Sequence, residues 1–332
     1  MATHLASSAV RTALATGLIW STVVYWLAGG ARVLAGTGVT PREAGYTTYF
    51  NVPYAERGKE ELLLDAYIPN GSGPFPAVVV IHGGAWRMGN KAQLALHAAR
   101  LARAGFAAFC INYRLAPAHK WPAQIHDCKA AVVWVRRHAA QYKVRPDWIA
   151  AYGYSAGAHL ACMLGVTDPK DGFEDPGSKG DSSVQAVCAG GTPCDFTIIP
   201  PRARWLTFWL GKTRGEDPEL YRRASPISFV DPSDPPTLLY HGAADQLVPL
   251  PPVRRYVQLL RSQGIEAELV VIPDAGHILA PFVPTAIDSV VSFLRKHAGQ
   301  KVEARVEKGD RVPGSHQGDK RPEREDSGRT DR

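Results

Sequence analysis

The chain has 332 residues, 45% of them hydrophobic and 21% charged, with a formal net charge of +7. Such length and composition suit one large globular domain and exclude a fibrous or low-complexity chain. The charge is spread thinly, without a basic stripe interleaved with aromatics or a nucleic-acid motif, so nucleic acid is excluded as a partner. Cys110, Cys128, Cys162, Cys188 and Cys194 show no C-x-x-C spacing. This argues against a zinc cluster or a disulfide framework and leaves open only a single Cys188–Cys194 bridge.

Residues 12–31 carry no charge and are dominated by Leu14, Leu18, Ile19, Trp20, Val23, Val24, Tyr25, Trp26 and Leu27, between Arg11 and Arg32. Such a run is long enough to span a bilayer and also fits a long secretory signal. Residues 1–40 are therefore expected to be a signal peptide or membrane anchor with its linker, which places the remainder outside the cytoplasm. The alternative is a helix packed on the domain of a cytoplasmic protein. Strands are expected at 46–52 and 61–68. The continuous apolar run 77–81, with three valines, suits a strand buried on both faces of a parallel sheet. A helix is expected at 91–104, a strand at 106–111, and a helix at 123–142 with Ile125, Val132, Val135 and Ala139 at helical spacing. Then come a strand at 148–152, a small-residue helix at 156–164 and a strand at 184–189. After 237–240 (strand), 251–263 (helix) and 268–272 (strand), a last helix presents Val283, Ile287, Val290, Val291 and Leu294 on one face.

Strands alternating with helices imply an α/β domain over 41–298 with a mostly parallel sheet, helices on both faces and an antiparallel N-terminal edge. The Gly/Asp-rich stretch 168–183 lacks EF-hand spacing and reads as a solvated loop, not a metal site. Residues 196–224, with Trp205, Phe208, Trp209 and Tyr221, read as a small inserted cap. Residues 299–332 carry mixed charge and almost no large apolar side chains, and are expected to be disordered.

Gly153-Tyr154-Ser155-Ala156-Gly157 matches G-x-S-x-G, between an apolar strand and a small-residue helix. That context is the strand-turn-helix elbow that exposes a serine hydroxyl. A serine needs a base. His277, just past the last strand, lies on a loop at the sheet edge where the elbow also sits. His82 and His241 follow strands too, but each precedes a glycine and has another plausible task. His159, one helical turn beyond Ser155, is expected to pack under the elbow. The base needs a carboxylate, and Asp245, on the loop after 237–240, completes the order Ser, Asp, His. Asp274 is the rival, too close in sequence to His277 to reach its far ring nitrogen easily. Backbone amides of Gly83, Gly84 and Ala156 are the candidate oxyanion donors. His82 is expected to anchor their loop.

These residues together resemble the α/β-hydrolase superfamily, and within it the HGG-type carboxylesterases: hormone-sensitive-lipase-like enzymes and the bacterial feruloyl and acetyl-xylan esterase group. The markers are His82-Gly-Gly-Ala-Trp, Asn112-Tyr-Arg-Leu-Ala-Pro, Pro122 to Asp127, the Ser155 motif, His241-Gly-Ala-Ala-Asp and Gly276-His277. Isoprenylcysteine methylesterases are similar around His82 and Ser155. Three positions depart from the hormone-sensitive-lipase pattern: Ala85 for a third glycine, Tyr154 for an aspartate, and Asn112 for an aspartate before Tyr-Arg. The resemblance implies a structural Arg114–Asp127 ion pair. It also implies an acyl-enzyme carboxylesterase that needs no metal or organic cofactor. Small or short-acyl esters are the expected substrates, among them acetyl or feruloyl esters of carbohydrates. Trp86, Tyr154, Trp205 and Trp209 are the candidate substrate contacts, with Phe208 beside them, and core packing is the alternative for these aromatics. An amidase or peptidase of the same fold, an isoprenylcysteine-methylesterase-like activity and a non-catalytic binding member are the rival readings.

Overall fold

The computed structural model describes residues 45–299, so the apolar segment at 12–31 and the tail at 300–332 lie outside the described residues. Eight strands form one sheet: β1 (Tyr46–Arg57), β2 (Glu60–Pro69), β3 (Phe75–Ile81), β4 (Ala107–Ile111), β5 (Val144–Tyr154), β6 (Ala186–Gly190), β7 (Thr237–Gly242) and β8 (Ala267–Ile272). Their spatial order is β1-β2-β4-β3-β5-β6-β7-β8. From β4 through β8 all pairings are parallel, and β2 runs antiparallel to both its neighbours. The helices are α1 (Ala95–Arg103), α2 (Ala123–Arg137), α3 (Ala156–Val166), α4 (Thr207–Leu210), α5 (Pro218–Arg223), α6 (Leu250–Ser262) and α7 (Pro284–His297). This is the architecture of an α/β-hydrolase.

Burial explains the layering. Alternate residues of β3 enter two different cores: Val78 and Val80 pack with α1 and α7, while Val79 and Ile81 pack with α2, α3 and α6. A strand covered on both faces must be apolar throughout, and β-branched side chains fit its pleat. Strand β1 is the exposed edge, and its register shifts on both sides of Pro53. Proline cannot donate to a ladder, so an edge with bulges is where it is tolerated.

The parallel strands all point their carboxyl ends to one edge. The chain enters at the other edge, where Tyr46 pairs with Pro69. It returns there at Ala298, whose carbonyl accepts from Arg145 at the start of β5.

Some boundaries differ from expectation. Helix α2 stops at Arg137 because the chain must turn and enter β5 at Val144, which pairs with Phe75. The 168–183 stretch is not simply solvated. Phe173 is buried, and the buried Lys129 ammonium bonds Glu174, the Thr167 carbonyl and Ser182. A buried lysine needs such acceptors, and Glu174 and Ser182 of this stretch supply two of them. All five cysteines are buried free thiols, so the Cys188–Cys194 bridge does not form. The excursion at 196–224 is short turns with α4 and α5, and its Trp209 and Tyr221 are embedded in the main core.

The expected Arg114–Asp127 pair is part of a larger network. Asp127 is wholly buried and takes Arg114 Nε at 2.9 Å and Nη2 at 2.8 Å on separate oxygens, plus the Arg114 amide at 2.9 Å. Arg57 adds Nε at 3.0 Å to the same carboxylate and pairs with Asp175 at 2.9 Å. Replacing Asp127 by alanine leaves two guanidinium groups short of a partner in a mostly buried site, a change of about 3–5 kcal/mol. Chemical denaturation of Asp127→Ala is expected to show that loss, and an unchanged midpoint would contradict it.

Candidate active site

The turn at Ser155 is made by two close approaches. A Cβ on Gly153 would lie 2.2 Å from the Gly157 carbonyl oxygen, and one on Gly157 would lie 2.0 Å from that of Ile81. Only glycine fits at either position, which is the physical content of G-x-S-x-G. Between them Ser155 takes φ 55° and ψ −119°. That conformation is unfavourable for an L-residue and is held by the surroundings. The Ser155 amide donates to the Gly190 carbonyl at 2.8 Å, and helix α3 begins at the next residue.

His277 Nε2 lies 2.8 Å from Ser155 Oγ, and His277 Nδ1 lies 2.6 Å from Asp245 Oδ2. The carboxylate on the histidine is therefore that of Asp245, not Asp274. Asp245 Oδ1 accepts from the amides of Leu247 and Val248, each at 2.9 Å. Burial pushes the Asp245 carboxyl up, but the His277 bond and the two amides outweigh it and hold it below the ordinary carboxylate value. The loops that carry Asp245 and His277 are joined directly, since the Ala244 amide donates to the Ala275 carbonyl at 3.0 Å. From β5, the Tyr154 hydroxyl donates to the His277 carbonyl.

The His82 loop comes to the same place. A Cβ on Gly83 would lie 3.3 Å from Ser155 Cβ and 3.0 Å from the Tyr154 carbonyl, so this backbone touches the nucleophile elbow. Gly84, Ala85 and Trp86 follow with φ of 108°, 51° and 58°. Ala85 thus holds in the left-handed region a position where glycine would sit without strain. The buried His82 anchors the turn: Nδ1–H donates to the Gly83 carbonyl at 2.7 Å, and its ring stacks on Tyr113 at 4.2 Å. Asn112 keeps a polar task too, its Oδ1 accepting from the Lys91 amide at 2.8 Å. Ala156, whose amide opens α3, adjoins Ser155 on the other side.

Two expected substrate contacts are corrected. Trp86 and Trp209 stack face to face at 3.8 Å, and both are buried. Trp86 Nε1–H donates to His159 Nδ1 at 3.1 Å, and Trp209 Nε1–H donates to Gln124 Oε1 at 3.0 Å. Indoles with both ring and N–H satisfied inside the core are packing residues. His159 sits under the elbow as expected, and its Nε2–H reaches the Ala224 carbonyl at 2.8 Å. Tyr154 is buried and braces the base loop. Trp205 is 66% exposed, and Phe208 is half-buried under Arg87. Sequence reasoning missed this bracing role of Tyr154. It also missed Arg57 and Asp175, whose partners are far away in sequence.

The BD-FAE family model matches residues 64–257. The chain belongs to the BD-FAE family. Esterase LipC of Mycobacterium tuberculosis is 36% identical over 61% of this BD-FAE chain and 53% of its own length. Esterase LipQ of the same organism is 33% identical over 77% of this chain and 64% of its own. The chain therefore spans between about half and two thirds of these relatives. Among solved structures, a truncated carbohydrate esterase from gut microbiota aligns with a TM-score of 0.69 and 30% identity, over 78% of this chain and 99% of that one.

The buried histidines of this BD-FAE domain make its stability depend on pH. Burial pushes His82 and His97 down to about 4 and His159 down to about 3, from 6.5. These groups bind protons more readily unfolded than folded. Their stabilisation is thus complete above about pH 6.5 and is lost as pH falls toward 4. The thermal midpoint should be flat from pH 8 to 7 and decline from pH 6.5 to 4.5. A midpoint that holds steady to pH 4.5 would refute this reading.

Proposed function

We propose that the chain is a serine carboxylic-ester hydrolase that works through an acyl-enzyme. The observation that carries the proposal is the continuous hydrogen-bonded series Ser155–His277–Asp245 beside the Gly83–Gly84 backbone. In this reading His277 Nε2 takes the Ser155 proton as Oγ attacks the ester carbonyl carbon. Negative charge gathers on the carbonyl oxygen, facing the amides of Gly84 and Ala156 with Gly83 assisting. Asp245 holds the imidazole tautomer and supports the imidazolium. Collapse expels the alcohol, which takes the proton from His277. Water then gives its proton to His277, attacks the acyl carbon and releases the acid, restoring Ser155.

The substrate class proposed is small or short-acyl esters, including acetyl or feruloyl esters of carbohydrates. The carbohydrate part is supported by the structural similarity to an esterase so described. Ser155→Ala should lower hydrolysis of p-nitrophenyl acetate by at least about 10³-fold. Near-full activity in that variant would refute the proposal. A panel of esters graded by acyl length, with acetylated xylan, feruloyl sugars and a matched anilide, separates the ester reading from an amidase.

We further infer that residues 12–31 take the chain to or across a membrane, leaving the catalytic domain outside the cytoplasm. Support comes from their uncharged, apolar composition. Among the described residues no helix is long and apolar enough to cross a membrane. The full chain should float with liposomes while a chain beginning at Gly45 stays in the soluble fraction. Equal partition of the two would count against an anchor.

A further inference from the structure

His241, in β7, takes no part in the two-step reaction, yet it lies against the acid. It is fully buried, with Nε2 at 2.9 Å from the Val248 carbonyl and 3.5 Å from Asp245 Oδ2. That oxygen is the one bonded by His277. A carbonyl accepts only from an N–H, so the proton of His241 is on Nε2. Its Nδ1 is buried without a hydrogen-bond partner among the described residues. A second proton there would be a charged donor with nothing to bond, a far larger penalty than an unpaired lone pair. Burial lowers the basicity of this ring, against the opposing pull of the Val248 carbonyl and Asp245, and His277 adds to the lowering. The ring is therefore neutral and its tautomer fixed.

Val248 is held through both of its backbone polar groups. Its amide donates to Asp245 Oδ1, and its carbonyl accepts from His241. The chain from 241 to 248 is thereby closed into a ring around the carboxylate. We propose that His241 is a positioning residue for Asp245: its single N–H, bonded to the Val248 carbonyl and 3.5 Å from the carboxylate, holds the loop whose Val248 amide fixes Asp245 and so sets the oxygen that orients His277. Neutrality matters as much as geometry. A cationic His241 would compete with His277 for the same oxygen, whereas a neutral one leaves the negative charge to the base.

The proposal rests on the serine-hydrolase reading and is tested in the full chain on a short-acyl ester. His241→Leu removes the N–H and is expected to lower kcat by about 10–100-fold while KM stays within about twofold. His241→Gln, which can present a side-chain N–H to the same carbonyl, should recover kcat to within about fivefold of the original. Unchanged kcat in His241→Leu, or a loss in His241→Gln as deep as in His241→Leu, would overturn the proposal. A measurement without substitution stands beside these. The ¹⁵N imidazole spectrum of the unaltered chain should show His241 as the neutral Nε2–H tautomer at the pH of the assay. A ring that carries its proton on Nδ1 there would overturn it as well. An inactive Ser155→Ala beside a fully active His241→Leu would sink this inference alone. An active Ser155→Ala would instead sink the reading beneath it.

Discussion

The backbone at Ser155 is the constraint on which the site depends. A serine at φ 55° and ψ −119° is strained by about 1–3 kcal/mol and persists only where neighbours over-determine it. Those neighbours are parts of the fold. Strand β5 brings the chain to the sheet edge, β6 accepts the Ser155 amide at Gly190, and β3 presses its terminal carbonyl against Gly157. The elbow is thus tied to three adjacent strands. The same edge delivers the Gly83 loop from β3, Asp245 from β7 and His277 from beyond β8. Parallel topology is what gathers these loops, because every parallel strand ends on that side.

Support for the site comes from two kinds of buried polar structure. One is ionic: Asp127 with Arg114 and Arg57, which joins the loop after β4 to α2 and β1. The other is aromatic and neutral. Trp86, Trp209, Trp121 and Phe196 surround His159 beneath the elbow, and the indole N–H groups of Trp86 and Trp209 each have a side-chain acceptor in the core. Trp86 ties the oxyanion-side loop into this cluster. That gives a physical reason for a large buried ring at φ 58°, since the stacking on Trp209 and the bond to His159 offset the strain.

Much of this was readable from the sequence. Parallel strands announce themselves as unbroken apolar runs, so β3 and β4 were clear. The turn at Ser155 is legible from the two glycines around it, and the placement of Asp245 and His277 beside it from their positions after strands. What stayed hidden depends on distance through space. Nothing local distinguishes Trp86 and Trp209 as a stacked pair from two pocket-lining rings. Asp175 and Phe173 sit in a stretch whose composition is that of a solvated loop, and only Arg57 and the core they meet reveal their burial. The junction of helix α2 and strand β5 is not legible locally, because Ala139 extends the helical spacing while the pairing of Val144 with Phe75 claims the chain for the sheet.

The histidines show how one side chain serves opposite ends in one site. His82, His159 and His241 each direct an N–H at a backbone carbonyl, of Gly83, Ala224 and Val248 respectively. A carbonyl fixes a neutral imidazole, and burial then keeps the ring uncharged. His277 differs in its partner: its Nδ1 faces the Asp245 carboxylate. The carboxylate fixes the tautomer of the ring and leaves Nε2 facing Ser155 Oγ. The three braces hold loops through rings kept neutral by burial, while His277 links a carboxylate to Ser155. The distinction lies in one acceptor, a carbonyl or a carboxylate, and the fold decides it by where each loop leaves the sheet.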